Sequence, residues 1–160
     1  MNQQFSFDYA CFASASELDP ADKALLEKAR AITAAAYAPY SNFKVGAAAV
    51  LDDGRIVTAT NQENASYPVG ICAERTLLSA VSAMHANKRI LTLAISYASE
   101  GKNDRPISPC GLCRQSLAEY EQRSQQPIRL LLGGQTGAVY IIPDCVSLLP
   151  LGFSGEDLNR

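Results

Sequence analysis

The chain has 160 residues, of which 48% are hydrophobic and 19% charged, so it is long enough to bury the core of one domain without covalent staples. The net charge of -2 and the scattered lysines and arginines argue against a broad face that binds polyanions. No apolar stretch reaches the length of a membrane span and no secretory signal begins the chain, so we expect a cytoplasmic protein.

The first elements of the chain are an irregular segment and a helix. Residues 1–16 show no clear period and are predicted to be an N-terminal extension, either an edge segment or a partly disordered arm. Residues 17–160 are predicted to form a single domain. Its first helix, capped by Ser16 or Asp19, is predicted to run to about Ala38.

Beyond this helix, strand patterns alternate with helix patterns. Strands are predicted over five stretches, namely 43–51, 55–60, 91–97, 128–132 and 138–142. Helices are predicted over 72–85 and 110–122, with a short one over 144–149. The small residues at 46–49 indicate that another element packs closely on the first strand. The alternation predicts an α/β domain with a mixed sheet of about five strands.

Two short blocks concentrate chemically reactive side chains. Cys72-Ala73-Glu74-Arg75 is followed, one helix and one strand later, by Pro109-Cys110-Gly111-Leu112-Cys113-Arg114. Both blocks lie at predicted helix starts, where the helix dipole stabilises a thiolate, and the topology should bring those starts together at one sheet edge. Three thiolates fill three positions of a tetrahedral zinc ion and leave the fourth open for water.

A closed, structural zinc site would need a fourth protein ligand. The only histidine, His85, lies too far along the second helix from Cys72 to reach. Cys145 could be that ligand and Cys11 is a poorer candidate, although both are most simply small core residues. A redox pair would explain Cys110 and Cys113 but does not call for Cys72 and the neighbouring acid.

Glu74 is the candidate for moving protons. It lies two residues beyond Cys72, so both can serve one site only if Cys72 is a helix cap outside helical geometry. The simpler interpretation is a first-turn acid stabilised by the helix dipole. Three thiolates and Zn²⁺ sum to one negative charge, and Arg75 and Arg114 are the cations that could offset it.

The wider motifs carry a family resemblance. The segments YAPYSNFKVGAA, NQENASYPVGICAERT, SPCGLCRQ and LLPLGF-x-x-EDL resemble the small, three-cysteine cytidine deaminases over roughly residues 20–158. The resemblance implies a three-layer α/β/α sandwich in a homotetramer with one zinc ion per subunit. It also implies hydrolytic deamination of cytidine and deoxycytidine to uridine and deoxyuridine in pyrimidine salvage, with a nucleoside as partner and neither nucleic acid nor membrane.

The resemblance assigns roles at the metal. Cys72, Cys110 and Cys113 become the zinc ligands, and Arg75 offsets their charge. Glu74 becomes the proton shuttle, which takes a proton from water, protonates the ring at N3 and helps the amine leave after attack at C4.

It also implies substrate contacts at six positions, namely Phe43, Asn61, Glu63, Tyr67, Ala73 and Phe153. Asn61 and Glu63 match a pair that hydrogen-bonds the ribose 3′-hydroxyl, and Phe43 matches an aromatic packed on the pyrimidine. Tyr67 matches a contact near the ribose 5′ end at a subunit interface. Phe153 matches an aromatic offered to the base by a neighbouring subunit.

Two departures from the family pattern, Leu77 and Thr60, affect packing positions rather than chemistry. Two other functions stay open at this point. One is deamination of another cytosine-bearing molecule, as in the related blasticidin S deaminases, and the other is a zinc-stabilised scaffold without catalysis. A polynucleotide editor is disfavoured by the acidic charge balance.

Overall fold

The computed structural model describes residues 1–158. The helices are α1 (Pro20–Ile32), α2 (Ala73–Met84) and α3 (Gly111–Ser124). The strands are β1 (Ala10–Phe12), β2 (Lys44–Leu51), β3 (Ile56–Thr60), β4 (Ile90–Ala98), β5 (Arg129–Gly133) and β6 (Val139–Ile142). A short 3₁₀ helix over Cys145–Leu148 stands where the sequence predicted one.

The six strands form one sheet in the order β1-β6-β5-β4-β2-β3. The prediction of about five strands missed β1, which pairs antiparallel with β6 so that Cys11 lies opposite Tyr140. A strand of three residues is too short to show a hydrophobic period, so its pattern predicts only an extension. Of the two alternatives for residues 1–16, an edge segment or a partly disordered arm, the first is therefore observed for Ala10–Phe12.

Helices cover both faces of the sheet, which confirms the three-layer α/β/α prediction. Apolar residues of α1, including Leu26 and Ala29, pack with Ala48, Ala94 and Leu131 on one face. The larger core lies on the other face, where side chains of α2 and α3 pack on the alternate residues of the same strands. Within residues 1–158, no helix combines the length and apolar character that crossing a bilayer requires.

Helix α1 ends earlier than predicted. Asp19 caps its start, with its side chain accepting the backbone N–H groups of Ala21 and Asp22. After Ile32 the chain tightens into a 3₁₀ turn, in which the Thr33 hydroxyl donates to the Arg30 carbonyl at 2.7 Å. Local side-chain bonding of this kind competes with helix continuation, so the prediction to about residue 38 was wrong by about one and a half turns.

The topology places two helix starts at one sheet edge. β4 pairs parallel with β5, while β2 runs antiparallel to both β3 and β4. β3, β4 and β5 therefore point the same way, and the helices that follow β3 and β4 begin at the same edge. This confirms the predicted meeting of the two cysteine blocks.

Gly46 explains why β2 is rich in small residues. A Cβ built there would lie 2.1 Å from the carbonyl oxygen of Ala29 in α1. We expect Gly46→Ala to lower the free energy of unfolding by at least about 1–3 kcal/mol, since backbone cannot move aside as a side chain can. Chemical denaturation measures this. Gly101→Ala, where the nearest neighbour of the added carbon is Ser99 Oγ at 4.0 Å, is the control that should stay within about 0.5 kcal/mol.

Candidate active site

Three cysteine thiols meet at the shared start of α2 and α3. The Sγ atoms of Cys72, Cys110 and Cys113 all lie within 4.8 Å of one another. Those of Cys72 and Cys110 are 3.8 Å apart, and those of Cys110 and Cys113 are 3.5 Å apart. Ligands at about 2.3 Å in a tetrahedron stand about 3.8 Å from each other, so the cluster has the donor type and spacing of a zinc site.

The backbone explains how the cluster forms. Cys72 and Cys110 are the N-caps of α2 and α3, and both have extended rather than helical dihedral angles. The requirement that Cys72 be a cap is therefore met, whereas Cys110 stands just before its helix rather than inside it. The hydrogen bond with Cys113 lowers the pKa of the Cys72 thiol to about 6, which favours the thiolate that a metal binds.

Glu74 lies beside this cluster in the first turn of α2. Its side chain is almost fully enclosed, with only 5% of the residue exposed, yet it lines the same cavity as Cys72 and Cys110. Burial raises the pKa of the Glu74 carboxyl above its ordinary value. A carboxyl that holds its proton more tightly than usual is better suited to general acid–base work than a solvated first-turn acid is.

Cys145 lies apart from the cluster of Cys72, Cys110 and Cys113. Cys145 belongs to a different group with Glu121 and Asp144, and its thiol donates to Glu121 Oε2 at 3.0 Å. Cys11 is exposed on β1 at the sheet edge. Neither thiol joins the three clustered ones, so a site closed by a fourth cysteine has no support in the described residues.

The two candidate cations differ in what they contact. Arg114 donates to the carbonyl oxygens of Pro109 and Leu148, at 2.9 and 3.1 Å, so it fastens the loop before α3 to the C-terminal region. Arg75 makes no hydrogen bond or ion pair within residues 1–158, and its charge acts to lower the pKa of Cys72. Arg75 is therefore the arginine available to offset thiolate charge.

A cavity of about 440 Å³ opens above the sulfur cluster. It is lined by Ser41, Phe43, Val45, Asn61, Gln62, Glu63, Tyr67, Gly70, Ile71, Cys72, Glu74, Ile107, Ser108 and Cys110. It thus brings together four of the six positions for which substrate contacts were predicted, together with two of the three clustered cysteines and the buried acid. Ala73, the residue after Cys72, is fully buried and does not line the cavity.

The polar wall of the cavity is built by the loop after β3 and the turn before β2. The Glu63 carboxylate accepts hydrogen bonds from the backbone N–H of Tyr40 and the hydroxyl of Ser41. Asn61 Oδ1 accepts from the Val45 N–H at 2.8 Å, and its Nδ2 donates to the Phe43 carbonyl at 2.9 Å. Asn61 therefore also has a structural role, since it extends the pairing at the start of β2.

The aromatic wall consists of Phe43 and the residue behind it. Phe43 is 36% exposed, and its ring stacks on that of Tyr97 in β4, with ring centroids 5.1 Å apart and planes 15° apart. Tyr97 is buried, so it supports the Phe43 ring from the core side. Tyr67 meets Tyr40 edge-on at the far rim, with centroids 6.0 Å apart.

Phe153 lies away from this cavity. Its ring is 59% exposed beside the outer surface of α3, where Gln115 Nε2 donates to the Phe153 carbonyl at 2.9 Å. Phe153 therefore does not line the cavity above the three cysteines of its own chain.

Sequence reasoning missed Ser41 and Tyr97. Ser41 stands in a turn, where serine is common for local reasons, and Tyr97 stands in a buried strand, where an aromatic is ordinary core. Only the fold shows that Ser41 contacts Glu63 and that Tyr97 contacts Phe43.

A layered α/β domain, with three clustered thiols and a buried carboxyl where two helices begin, defines a zinc-dependent enzyme. Residues 20–125 match the family described as "Cytidine and deoxycytidylate deaminase zinc-binding region". The chain is 38% identical to the cytidine deaminase of Halalkalibacterium halodurans over 135 residues, which is 84% of this chain and 96% of that one. It is 46% identical to the cytidine deaminase of Mycobacterium tuberculosis over 132 residues, covering 79% and 85% respectively.

A solved structure agrees with these sequence relatives. The cytidine deaminase of Burkholderia pseudomallei superimposes with a TM-score of 0.69 at 41% identity, covering 81% of this chain and 97% of that one. The chain belongs to the cytidine and deoxycytidylate deaminase family, and zinc is its cofactor.

Proposed function

We propose that the protein catalyses the zinc-dependent hydrolytic deamination of cytidine and deoxycytidine to uridine and deoxyuridine, with release of ammonia. The observation that carries this function is the buried Glu74 carboxyl beside three clustered thiols, on the floor of a cavity with an aromatic and a hydrogen-bonding wall. The relatives named as cytidine deaminases support the substrate class.

The proposed metal ligands are Cys72, Cys110 and Cys113, which would hold one zinc ion per chain. Zinc at such a site supplies a water acidic enough to serve as the nucleophile at neutral pH. Arg75 would offset the negative charge of the three thiolates, which otherwise weakens that effect.

The proposed catalytic residue is Glu74. Its carboxylate accepts a proton, and the resulting acid delivers that proton to N3 of the pyrimidine as the carbon that carries the amine is attacked. A further proton passes to the departing amine, so that water and cytidine give uridine and ammonia. The enclosed position of Glu74 excludes bulk water and keeps its proton available to the ring.

The proposed substrate contacts follow the two walls of the cavity. The Phe43 ring, backed by Tyr97, would pack on the pyrimidine. Glu63 would accept a hydrogen bond from the ribose 3′-hydroxyl, with the second N–H of Asn61 donating to the same hydroxyl. Tyr67, near the ribose 5′ end, and Ala73 remain proposed substrate contacts.

The charges of the cavity favour a nucleoside over a nucleotide. Among its lining residues within 1–158, two are glutamates and none is lysine or arginine. A 5′-phosphate would enter a cavity with two acidic groups and without a cation to pair with it, which is unfavourable. Deoxycytidylate is therefore the weaker candidate, although the family includes deaminases of that substrate class.

The function is tested by following the absorbance change on deamination with a panel of cytidine, deoxycytidine, deoxycytidylate, cytosine and blasticidin S. We expect turnover of both nucleosides, with much lower kcat/KM for the nucleotide, the free base and blasticidin S. Preference for blasticidin S would indicate the related class of deaminases. Zinc binding without turnover of any compound would instead support the non-catalytic scaffold.

The proposed assembly is a homotetramer with sites near the subunit interfaces, in the cytoplasm, acting in pyrimidine salvage. Phe153 supports a shared site, because an aromatic ring that is 59% exposed and outside its own cavity is available to a neighbouring subunit. None of the five cysteines is paired in a disulfide, as is usual in a reducing compartment. We also propose residues 1–16 as an extension of a single catalytic domain over 17–160.

We expect Phe153→Ala to lower kcat/KM for cytidine by roughly 10-fold to 100-fold, because burial of an aromatic ring against a base is worth about 1–3 kcal/mol. Steady-state kinetics, with sedimentation to show that assembly is intact, measures this effect. Phe5→Ala, an aromatic in the N-terminal extension that is also exposed, is the control and should leave kcat/KM unchanged. Wild-type efficiency in an intact assembly of the Phe153 variant would remove the cross-subunit role.

A further inference from the structure

One turn of the chain connects the two walls of the cavity. Ser41 lies between the β2 strand that begins after Phe43 and the loop that carries Glu63. Its hydroxyl donates to Glu63 Oε1 and accepts the backbone N–H of Phe43 at 3.0 Å. The Ser41 hydroxyl therefore links the Glu63 carboxylate of the polar wall to the backbone of Phe43 in the aromatic wall.

The hydrogen bonds around Glu63 can be counted. Oε2 accepts the backbone N–H groups of Tyr40 at 2.9 Å and Ser41 at 3.3 Å, while Oε1 accepts the Ser41 hydroxyl. A carboxylate offers about four acceptor positions, so about one is left, on Oε1. The Ser41 hydroxyl, with the backbone N–H of Tyr40, keeps the pKa of the Glu63 carboxyl below its ordinary value, so the group is an acceptor and not a donor.

We infer that Ser41 is a positioning residue that aims the one free acceptor position of Glu63 at a single sugar hydroxyl, and so sets which sugars the enzyme selects. This inference rests on the proposed function, in which Glu63 accepts a hydrogen bond from the ribose 3′-hydroxyl. Without the Ser41 hydroxyl, the carboxylate would keep only the two backbone N–H groups on Oε2 and could rotate about them. The free acceptor position would then point in many directions and hold no hydroxyl well.

The number of free acceptor positions on Glu63 also predicts that the enzyme accepts substrates with or without a hydroxyl at the 2′ carbon. With one acceptor position free, Glu63 can hold one hydroxyl and not two. Cytidine and deoxycytidine differ only at the 2′ position, so an enzyme that holds the 3′-hydroxyl should process both at similar kcat/KM. Removal of the 3′-hydroxyl, by contrast, leaves the carboxylate without its donor and should be costly.

The experiment compares cytidine with 3′-deoxycytidine in the wild-type protein and in three variants. In the wild type we expect a KM for 3′-deoxycytidine that is roughly 10-fold to 100-fold higher than that for cytidine. In Ser41→Ala the KM for cytidine should rise toward that for 3′-deoxycytidine, and Asn61 should preserve only a small remaining preference. The kcat should change much less, because ground-state and transition-state binding are lost together. Ser41→Thr keeps a hydroxyl and should restore most of the discrimination. Ser79→Ala, an exposed serine on α2, should preserve it fully.

Each outcome decides the inference. An unchanged preference for cytidine in Ser41→Ala would overturn it, and so would an equal rise in KM for both substrates, which would mean that Ser41 acts only through Phe43. Ser41→Cys, which keeps the size of the side chain but donates weakly, repeats the test if Ser41→Ala does not fold. If the wild-type protein turns over neither substrate, the proposed function itself is wrong. If the wild-type protein is active and the Ser41 variant keeps its preference for cytidine, only the inference about Ser41 is wrong.

Discussion

Glu74→Gln is expected to remove nearly all deaminase activity while zinc stays bound. The amide has the shape of the carboxyl but cannot accept and release a proton, so both proton transfers to the substrate are lost. General acid–base catalysis contributes up to about 10⁴-fold, and one group that acts in two transfers should reach at least that value. Because Glu74 lies outside the sulfur cluster, its replacement removes no ligand.

The measurement combines single-turnover kinetics with metal analysis of the same sample. Burial already raises the pKa of the Glu74 carboxyl, so a neutral amide at this position should fold as well as the wild type. Glu119→Gln, an exposed acid on α3, is the matched control and should keep full activity. Near-normal turnover in the Glu74 variant would mean that this carboxyl is a helix-start acid and that another group moves the protons.

Residue spacing was sufficient to predict the metal-type cluster. Cys110 and Cys113 are three residues apart at a helix start, and strand–helix alternation places this helix start beside that of Cys72. The requirement that Cys72 be a cap also followed from spacing, because Glu74 would otherwise point to the opposite side of the helix. These are local or topological constraints, which a sequence encodes directly.

Contacts between distant side chains could not be predicted in this way. Ser41 and Glu63 are 22 residues apart. That Arg114 is engaged by the carbonyl oxygens of Pro109 and Leu148 was also not visible in the sequence, in which the family resemblance alone favoured Arg75. The edge strand β1 depends on pairing with β6, about 130 residues later, and its own three residues carry no pattern. Such features come from tertiary packing, which the periodicity of a segment does not contain.

Cys113→Ser is expected to remove both the zinc and the activity. Cys113 is the fully buried member of the cluster, and a hydroxyl is a poor substitute for a thiolate as a zinc ligand. Changes to residues that only support a ligand cost roughly 10-fold to 100-fold in metal affinity or activity, so loss of a ligand should cost more. The melting temperature should also fall, because a metal that binds only the folded chain stabilises it.

Cys145→Ser separates this role from a general effect of losing a buried thiol. Cys145 is also buried, but its thiol donates to Glu121 and lies in the other cluster. This variant should keep one zinc ion per chain and full activity, even where the altered hydrogen bond lowers the melting temperature. Loss of zinc from both variants alike would point to a site closed by four cysteines and would exclude an open position for water. Loss of zinc from the Cys113 variant alone would indicate that only three cysteines bind the ion. Its fourth coordination position is then open to water, as hydrolysis requires.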